Sequence, residues 1–85
     1  MVSYELLVER RARKAVARLP QALYNRLMRA IEDLAEDPRP QQNRQLQGSR
    51  ARRLRVGDYC IVYDVDNDTL EVFVAEIWHR QRGYR

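Results

Sequence analysis

The side chains with the clearest chemical potential are two arginines that alternate with apolar residues in a short segment. Leu54 and Val56 alternate with Arg53 and Arg55, which predicts a strand with one apolar and one cationic face. A guanidinium stays protonated, and its planar fork matches the oxygens of a phosphate or carboxylate. The cationic face of this strand, which we term the arginine face, therefore suits an anionic partner.

A tight turn is predicted directly after this strand. The Gly57-Asp58 dipeptide suits a two-residue hairpin loop, because glycine tolerates a positive φ and aspartate can hydrogen-bond its own backbone. The resulting register places Arg55 opposite Cys60 and Arg53 opposite Val62. The side chains then expected to face the core are Leu54, Val56, Tyr59, Ile61 and Tyr63.

Cationic charge is concentrated in two stretches that contain no acidic residue. Residues 38–57 hold six arginines and residues 77–85 hold three more, whereas the whole chain has a net charge of only +4. The remainder of the chain is therefore acidic overall. This segregation favours a nucleic-acid partner, and a solvated, arginine-rich surface is the alternative interpretation.

The closing segment adds two groups that could transfer a proton. His79 is the only histidine, and Tyr84 lies between Arg82 and Arg85. A lone histidine is more often structural or merely exposed, whereas a tyrosine outside the core could stack on a base or take part in proton transfer. Cys60 is expected to be a packed thiol in mid-strand rather than a nucleophile.

Length and composition limit the possible classes of protein. With 85 residues, the chain is expected to form one domain over residues 1–85. It has no apolar run long enough to span a membrane, no secretory signal and a single cysteine, so a reducing, cytoplasmic location is expected. No metal-ligand cluster, phosphate-binding glycine loop or Ser/His/Asp set is recognisable, so neither a metal nor a cofactor is expected.

The elements before the hairpin follow from a change of hydrophobic period. Residues 4–8 are predicted to form a first strand. Apolar residues at positions 12, 15, 16 and 19 form a helical stripe, and Pro20 ends this helix and suits the start of a second, over about residues 21–36. Residues 37–40 stop the second helix, and residues 41–49 are expected to form a loop.

The last strand is predicted over about residues 69–78, after a two-residue loop at Asn67-Asp68. The order β-α-α-β-β-β then indicates an α+β fold, with a small antiparallel sheet packed against an N-terminal helical hairpin. The end of the last strand lies beside the Gly57-Asp58 turn. Strand parity puts His79, and not Arg80, on the arginine face, unless a bulge or an early end to the strand brings Arg80 in.

This register also predicts an apolar patch on the arginine face, with no helix left to cover it. Its expected members are Val62, Phe73, Ala75 and Ile77. An exposed apolar patch beside arginines suggests a surface that binds a protein as well as a nucleic acid.

The element order and two sequence motifs resemble the RelE/ParE superfamily of bacterial and archaeal toxins, particularly its RelE branch. The motifs are Arg-Arg-Leu-Arg-Val-Gly-Asp-Tyr-x-Ile-Val-Tyr and the closing Ile-Trp-His-Arg-Gln-Arg-Gly-Tyr, and the resemblance covers nearly the whole chain. It implies a RelE-like toxin of a type II toxin–antitoxin system, an endoribonuclease that inhibits translation by cutting mRNA on the ribosome. It also implies a cognate antitoxin that wraps the toxin in a hetero-oligomer and blocks it.

The resemblance also implies roles for individual residues. Arg53, Arg55 and Arg80 would stabilise charge at the phosphorus, and His79 or Tyr84 would transfer the proton. The further residues expected to contact RNA are Arg50, Arg52, Arg82 and Arg85.

Two residues depart from the family pattern, and the first of them favours two alternative functions. Cys60 stands where the family often has a phosphate-contacting arginine, and Trp78 stands where a small residue is common. The alternatives are a ParE-like toxin that binds DNA gyrase and a non-catalytic module that binds RNA or the ribosome.

Overall fold

A five-stranded sheet forms the centre of the computed structural model, which describes residues 3–40, 43–45 and 50–80. In chain order the elements are β1 (Glu5–Val8), α1 (Arg10–Ala17), α2 (Gln21–Asp33), β2 (Asn43–Gln45), β3 (Arg52–Val56), β4 (Tyr59–Asp66) and β5 (Glu71–His79). The strands lie in the order β1-β5-β4-β3-β2. β1 and β5 are parallel, and the other neighbours are antiparallel. The predicted α+β class and element order are confirmed, with one additional strand. The sheet is mixed and not wholly antiparallel as predicted, because β1 pairs with β5 in parallel.

Both helices pack on the side of the sheet opposite the arginine face. The amphipathic stripes predicted for the helices and the alternation predicted for β3 and β4 meet in one core. Its buried members are Ala12, Val16, Leu27, Ile31, Leu34, Leu54, Ile61, Tyr63, Val65, Val72 and Val74. Neither described helix has the length and apolar character needed to cross a bilayer.

β2 lies within the segment that the sequence predicts to be a loop. Asn43, Arg44 and Gln45 pair with Leu54, Arg53 and Arg52. These three polar residues therefore extend the sheet at the edge of β3. Asn43 donates its side-chain amide to the carbonyl of Pro40 and accepts a hydrogen bond of 2.6 Å from Arg52. The strand forms because β3 offers unpaired backbone groups at its edge. The sequence Asn-Arg-Gln itself has no pattern that predicts a strand.

The connection between β4 and β5 is longer than the predicted two-residue loop. Residues 67–70 form the turn, and Leu70 adopts a φ of 57°. The Asp66 carboxylate accepts the backbone N–H groups of Asp68 and Thr69 at 2.9 and 3.1 Å. The N–H donors of Thr69 and Asp68 hold the pKa of Asp66 below its ordinary value. This cap stabilises the wider turn, so the predicted register of β4 against β5 is wrong: Val65 pairs with Val72 and not with Leu70.

A β-bulge in β5 changes the register a second time. Tyr63 pairs with Val74, but Val62 pairs with Glu76, which leaves Ala75 as an extra residue. One extra residue reverses which face the following side chains occupy. Beyond the bulge, the residues on the helix side are Ile77 and His79, and those on the arginine face are Glu76 and Trp78. The predicted placement of Ile77 and His79 on the arginine face is therefore wrong.

Tyr63 carries the polar group at the centre of this core. Its ring is fully buried, and its hydroxyl donates a 2.7 Å hydrogen bond to the buried carbonyl of Pro38, as a buried donor requires. Desolvation outweighs the nearby charges of Arg52 and Arg39 and raises the pKa of Tyr63 from 10.0 to about 12. The phenol is thus a neutral donor that ties β4 to the segment that follows α2.

Tyr63→Phe should lower the free energy of unfolding by about 1–2 kcal/mol, because it leaves the buried carbonyl of Pro38 without its donor. Urea denaturation followed by circular dichroism measures this loss. Tyr4→Phe is the matched control: its hydroxyl makes an exposed 2.9 Å hydrogen bond to Asn67, so we expect a change of only a few tenths of a kcal/mol.

The same pair of proteins predicts a pH dependence. The unfolded phenol loses its proton before the folded one because folding raises the pKa of Tyr63. The difference in the free energy of unfolding between wild type and Tyr63→Phe should therefore be fully present below pH 10.0 and decline as the pH rises towards about 12. An advantage that is constant across this range would contradict the role given to the buried phenol.

Candidate functional site

Two cross-strand rows organise the cationic end of the arginine face. Arg55 pairs with Cys60, which pairs with Trp78, and these three side chains form the first row. The second row crosses four strands and consists of Arg44, Arg53, Val62 and Glu76. The predicted pairings of Arg55 with Cys60 and Arg53 with Val62 are confirmed. Positions two apart along a strand are about 7 Å apart, so the arginines of the two rows are near neighbours.

Arg80 joins this cluster at the end of β5. Its backbone N–H donates a 2.6 Å hydrogen bond to the carbonyl of Asp58, which ties the end of the strand to the hairpin turn as predicted. Arg80 is exposed and directly follows β5, and continuing the alternation of β5 beyond the bulge would place it on the same face as Trp78. The bulge that this placement requires is thus present at Ala75.

His79 lies on the other side of the sheet. It pairs with Tyr59, and the two rings meet edge to face with centroids 5.0 Å apart and an angle of 85° between their planes. Tyr59 in turn packs against the core. This aromatic contact joins the end of β5 to the start of β4, and it turns the imidazole away from Arg53 and Arg55.

The two other described arginines that the sequence assigns to RNA contact lie away from this cluster. Arg52 pairs with Tyr63 on the helix side and holds Asn43 of β2. Arg50 lines a small cleft of about 150 Å³ with Asp64, Asp66 and Phe73. RNA contact by these arginines stays a prediction. Arg82, Tyr84 and Arg85 lie outside the described residues.

The arginine face is electrically polarised along its strands. Arg44, Arg53, Arg55 and Arg80 occupy the end beside the hairpin turn. At the far end Glu5 pairs with Glu71, which pairs with Asp66. Glu76 lies in the same row as Arg53, and its charge is offset by Arg11 of α1 at 3.4 Å. The field therefore holds an anion at the hairpin end.

Sequence reasoning missed two residues of this site. Arg44 belongs to a predicted loop, because β2 has no recognisable pattern of its own. The place of Trp78 on the arginine face depends on the bulge, which the sequence does not predict. Only the charge segregation of residues 38–57 pointed towards Arg44.

The chain is similar to toxins of toxin–antitoxin systems. A family model described as the ParE toxin of type II toxin–antitoxin system, parDE, matches residues 4–84. No curated protein matches the chain.

Solved structures resemble the fold over nearly its whole length. The archaeal RelE–RelB complex from Pyrococcus horikoshii OT3 matches with a TM-score of 0.84 and 26% identity, over 94% of this chain and 98% of that one. The intact E. coli RelBE toxin–antitoxin complex matches with a TM-score of 0.78 and 25% identity, over 94% and 100%. The RelB–RelE complex from Methanococcus jannaschii, at 23% identity, a TM-score of 0.70 and coverage of 88% and 91%, supports the fold alone.

Gly57 sets the hairpin that aligns Arg55 with Cys60, and its φ is +60°. Gly57→Ala should lower the free energy of unfolding by about 1–2 kcal/mol, the cost of a left-handed conformation for a residue with a Cβ. Urea denaturation measures the change.

Gly57→Asn is the matched control, because asparagine adopts the left-handed region more readily than alanine. We expect the Asn variant to recover a large part of the lost stability. Equal losses in both variants would show that the new side chain clashes with Arg26, whose Nη1 lies 3.1 Å from the Cβ position, and that backbone strain is not the cause.

Proposed function

Because the chain belongs to the ParE toxin family of type II toxin–antitoxin systems, within the RelE/ParE superfamily, we propose that it is a RelE-like toxin that cleaves mRNA on the ribosome. Structural similarity to RelE proteins at 25–26% identity favours this branch. The observation that carries the proposal is the gathering of Arg53, Arg55 and Arg80 at one end of one face. Such an enzyme would act in the cytoplasm, where mRNA is translated.

The proposed reaction uses the 2′-hydroxyl of the RNA as its nucleophile. This step needs a base, an acid for the departing 5′-oxygen and stabilisation of the charge that develops at the phosphorus. Guanidinium groups suit the third task and are unsuited to the first, because they stay protonated. Cleavage would then depend strongly on substrate positioning, which the ribosome could provide.

Proton transfer is assigned to Tyr84 in preference to His79. His79 packs against Tyr59 on the helix side, so its imidazole does not face the arginines that would hold the phosphate. The role of Tyr84 rests on the family resemblance alone. We therefore assign His79 to the support of the site.

A ParE-like toxin that binds DNA gyrase is the second candidate. The matching family model is that of ParE toxins, and buried Cys60 replaces the arginine that the RelE resemblance leads us to expect. In that case the arginine face would bind a protein, with no RNA chemistry.

We also propose that a cognate antitoxin covers part of the arginine face in a toxin–antitoxin hetero-oligomer. Neither described helix covers this face, and Leu7, Val62 and Phe73 lie half-buried on it. Ile77, which the sequence assigned to this patch, instead packs on the core side. The net charge of +4 favours an acidic, amphipathic segment. Two of the similar structures are a RelE–RelB complex and a RelBE toxin–antitoxin complex.

Arg80→Ala should reduce mRNA cleavage by about 10²–10³-fold, the usual cost of losing one contact that stabilises transition-state charge. Primer extension on cellular mRNA after induction measures the cuts, and circular dichroism checks the fold. Arg10→Ala, which removes an exposed arginine from α1, is the control and should keep its activity.

The outcomes separate the candidate functions. Translation-dependent cuts that disappear in Arg80→Ala support the enzyme. Growth arrest with intact mRNA and gyrase-linked DNA breaks would instead establish the ParE-like alternative. RNA or ribosome binding without cuts would identify a non-catalytic module.

Phe73→Glu should weaken antitoxin binding by at least about tenfold, because it places a charge at a proposed apolar anchor. The probe is the product of the neighbouring gene, co-expressed with the toxin and assayed by co-purification and rescue of growth. Ala22→Glu on the exposed side of α2 is the control. A neighbouring product that neither binds nor neutralises wild type would count against the proposed partner.

A further inference from the structure

Trp78 lies on the arginine face and is not part of the core between the sheet and the helices. It is the only tryptophan in the chain, and the bulge at Ala75 places it opposite Cys60, on the side away from α1 and α2. The side chain is half-buried, so part of the indole packs on the sheet and part remains accessible.

Two arginines lie near Trp78, as does Glu76, which is two positions earlier on the same face and is paired with Arg11 at 3.4 Å. Arg55 and Trp78 are the outer members of one row, and Cys60 between them is only 5% exposed. Adjacent strands are about 4.8 Å apart, so the Cα atoms of Arg55 and Trp78 are separated by about 10 Å. Arg80 follows Trp78 by two positions, directly after the end of β5. Trp78 thus lies near Arg80 and near Arg55, whose Nε donates a 3.3 Å hydrogen bond to the carbonyl of Gly57 and whose Nη groups stay available for a phosphate.

This combination suits a nucleotide better than it suits an apolar peptide. A cationic track beside an aromatic ring is the usual arrangement for single-stranded nucleic acid, in which phosphates meet the charges and a base stacks on the ring. Tryptophan is also common at protein interfaces. The half-buried apolar residues Leu7 and Phe73, however, lie towards the other, acidic end of the face.

We propose that the indole of Trp78 is a stacking surface for one nucleobase of single-stranded RNA whose phosphates are held by Arg55 and Arg80. The inference rests on the proposed RNA-directed function and adds a base-binding subsite to it. Because every base has a π face, this subsite gives affinity and register with little sequence preference.

The single tryptophan provides a direct test of stacking. Full-length toxin, free of antitoxin, is titrated with a short 2′-O-methyl RNA, which lacks the nucleophile and is not cleaved. We expect saturable quenching of tryptophan emission. An abasic oligonucleotide of the same length should bind through its phosphates with little quenching. Equal quenching by both, or saturable RNA binding without quenching, would overturn the proposal.

Substitutions separate stacking from packing. Trp78→Leu keeps apolar bulk without a π face, whereas Trp78→Phe keeps a smaller one. Trp78→Leu should weaken binding of the base-bearing oligonucleotide by about 5–150-fold, which corresponds to about 1–3 kcal/mol per stacked base. Trp78→Phe should restore a substantial part of this affinity, and the abasic oligonucleotide should bind all three proteins equally. Equal behaviour of the Leu and Phe variants would refute stacking.

The results distinguish failure of this inference from failure of the proposed function. If Trp78→Leu cleaves mRNA as well as wild type does, the proposed base-binding subsite is wrong and the proposed enzymatic function stands. If wild type neither binds nor cleaves RNA, both the stacking subsite and the proposed function are wrong. If Trp78→Leu weakens only the co-purification of the antitoxin, the indole is a protein anchor and the nucleobase assignment is wrong.

Discussion

Glu76 and Ile77 impose the constraint on which the arginine face depends. Val72 and Val74 are fully buried on the helix side, so strict alternation would put Glu76 in the core and Ile77 in solvent. An unpaired carboxylate in the core costs several kcal/mol, and exposing partly buried Ile77 loses a share of the roughly 1.5–3 kcal/mol that full burial of such a side chain contributes. One unpaired residue at Ala75 avoids both costs, since it lets Glu76 meet Arg11 and lets Ile77 pack on the core. The positions of Trp78, His79 and Arg80 all follow from this local balance.

The parts of the fold that sequence could predict are those governed by local rules. Helical periodicity located α1 and α2, and the Gly57-Asp58 turn set the register of β3 and β4, because a two-residue loop leaves no freedom in the pairing. The other features depend on competition between distant groups. β2 forms only because β3 offers an edge, and the wide turn at residues 67–70 forms because Asp66 caps it. The spacing of Val72, Val74 and Ile77 was the available signal for the bulge.

Adjacent arginines in this chain have different fates, which composition alone does not reveal. Arg52 and Arg53 are neighbours in sequence, yet strand parity puts Arg52 beside Tyr63 and Asn43, and Arg53 on the arginine face. The first joins β2 to the sheet, and the second belongs to the cationic cluster. The arginines of residues 38–57 therefore have two roles, one structural and one in the cationic cluster. The strand register decides which role each residue has.

The polarity of the arginine face connects its two proposed partners. RNA phosphates would occupy the end with Arg53, Arg55 and Arg80, whereas Leu7 and Phe73 lie towards the acidic end. RNA bound at the arginines would leave those apolar side chains uncovered, because charged phosphates make no favourable contact with apolar groups. A protein segment with acidic residues over the arginines and apolar residues over Phe73 would satisfy both ends at once. Such a segment would neutralise the charges that hold RNA while it covers apolar surface, so a single chain could exclude the substrate without a change in the fold of the toxin.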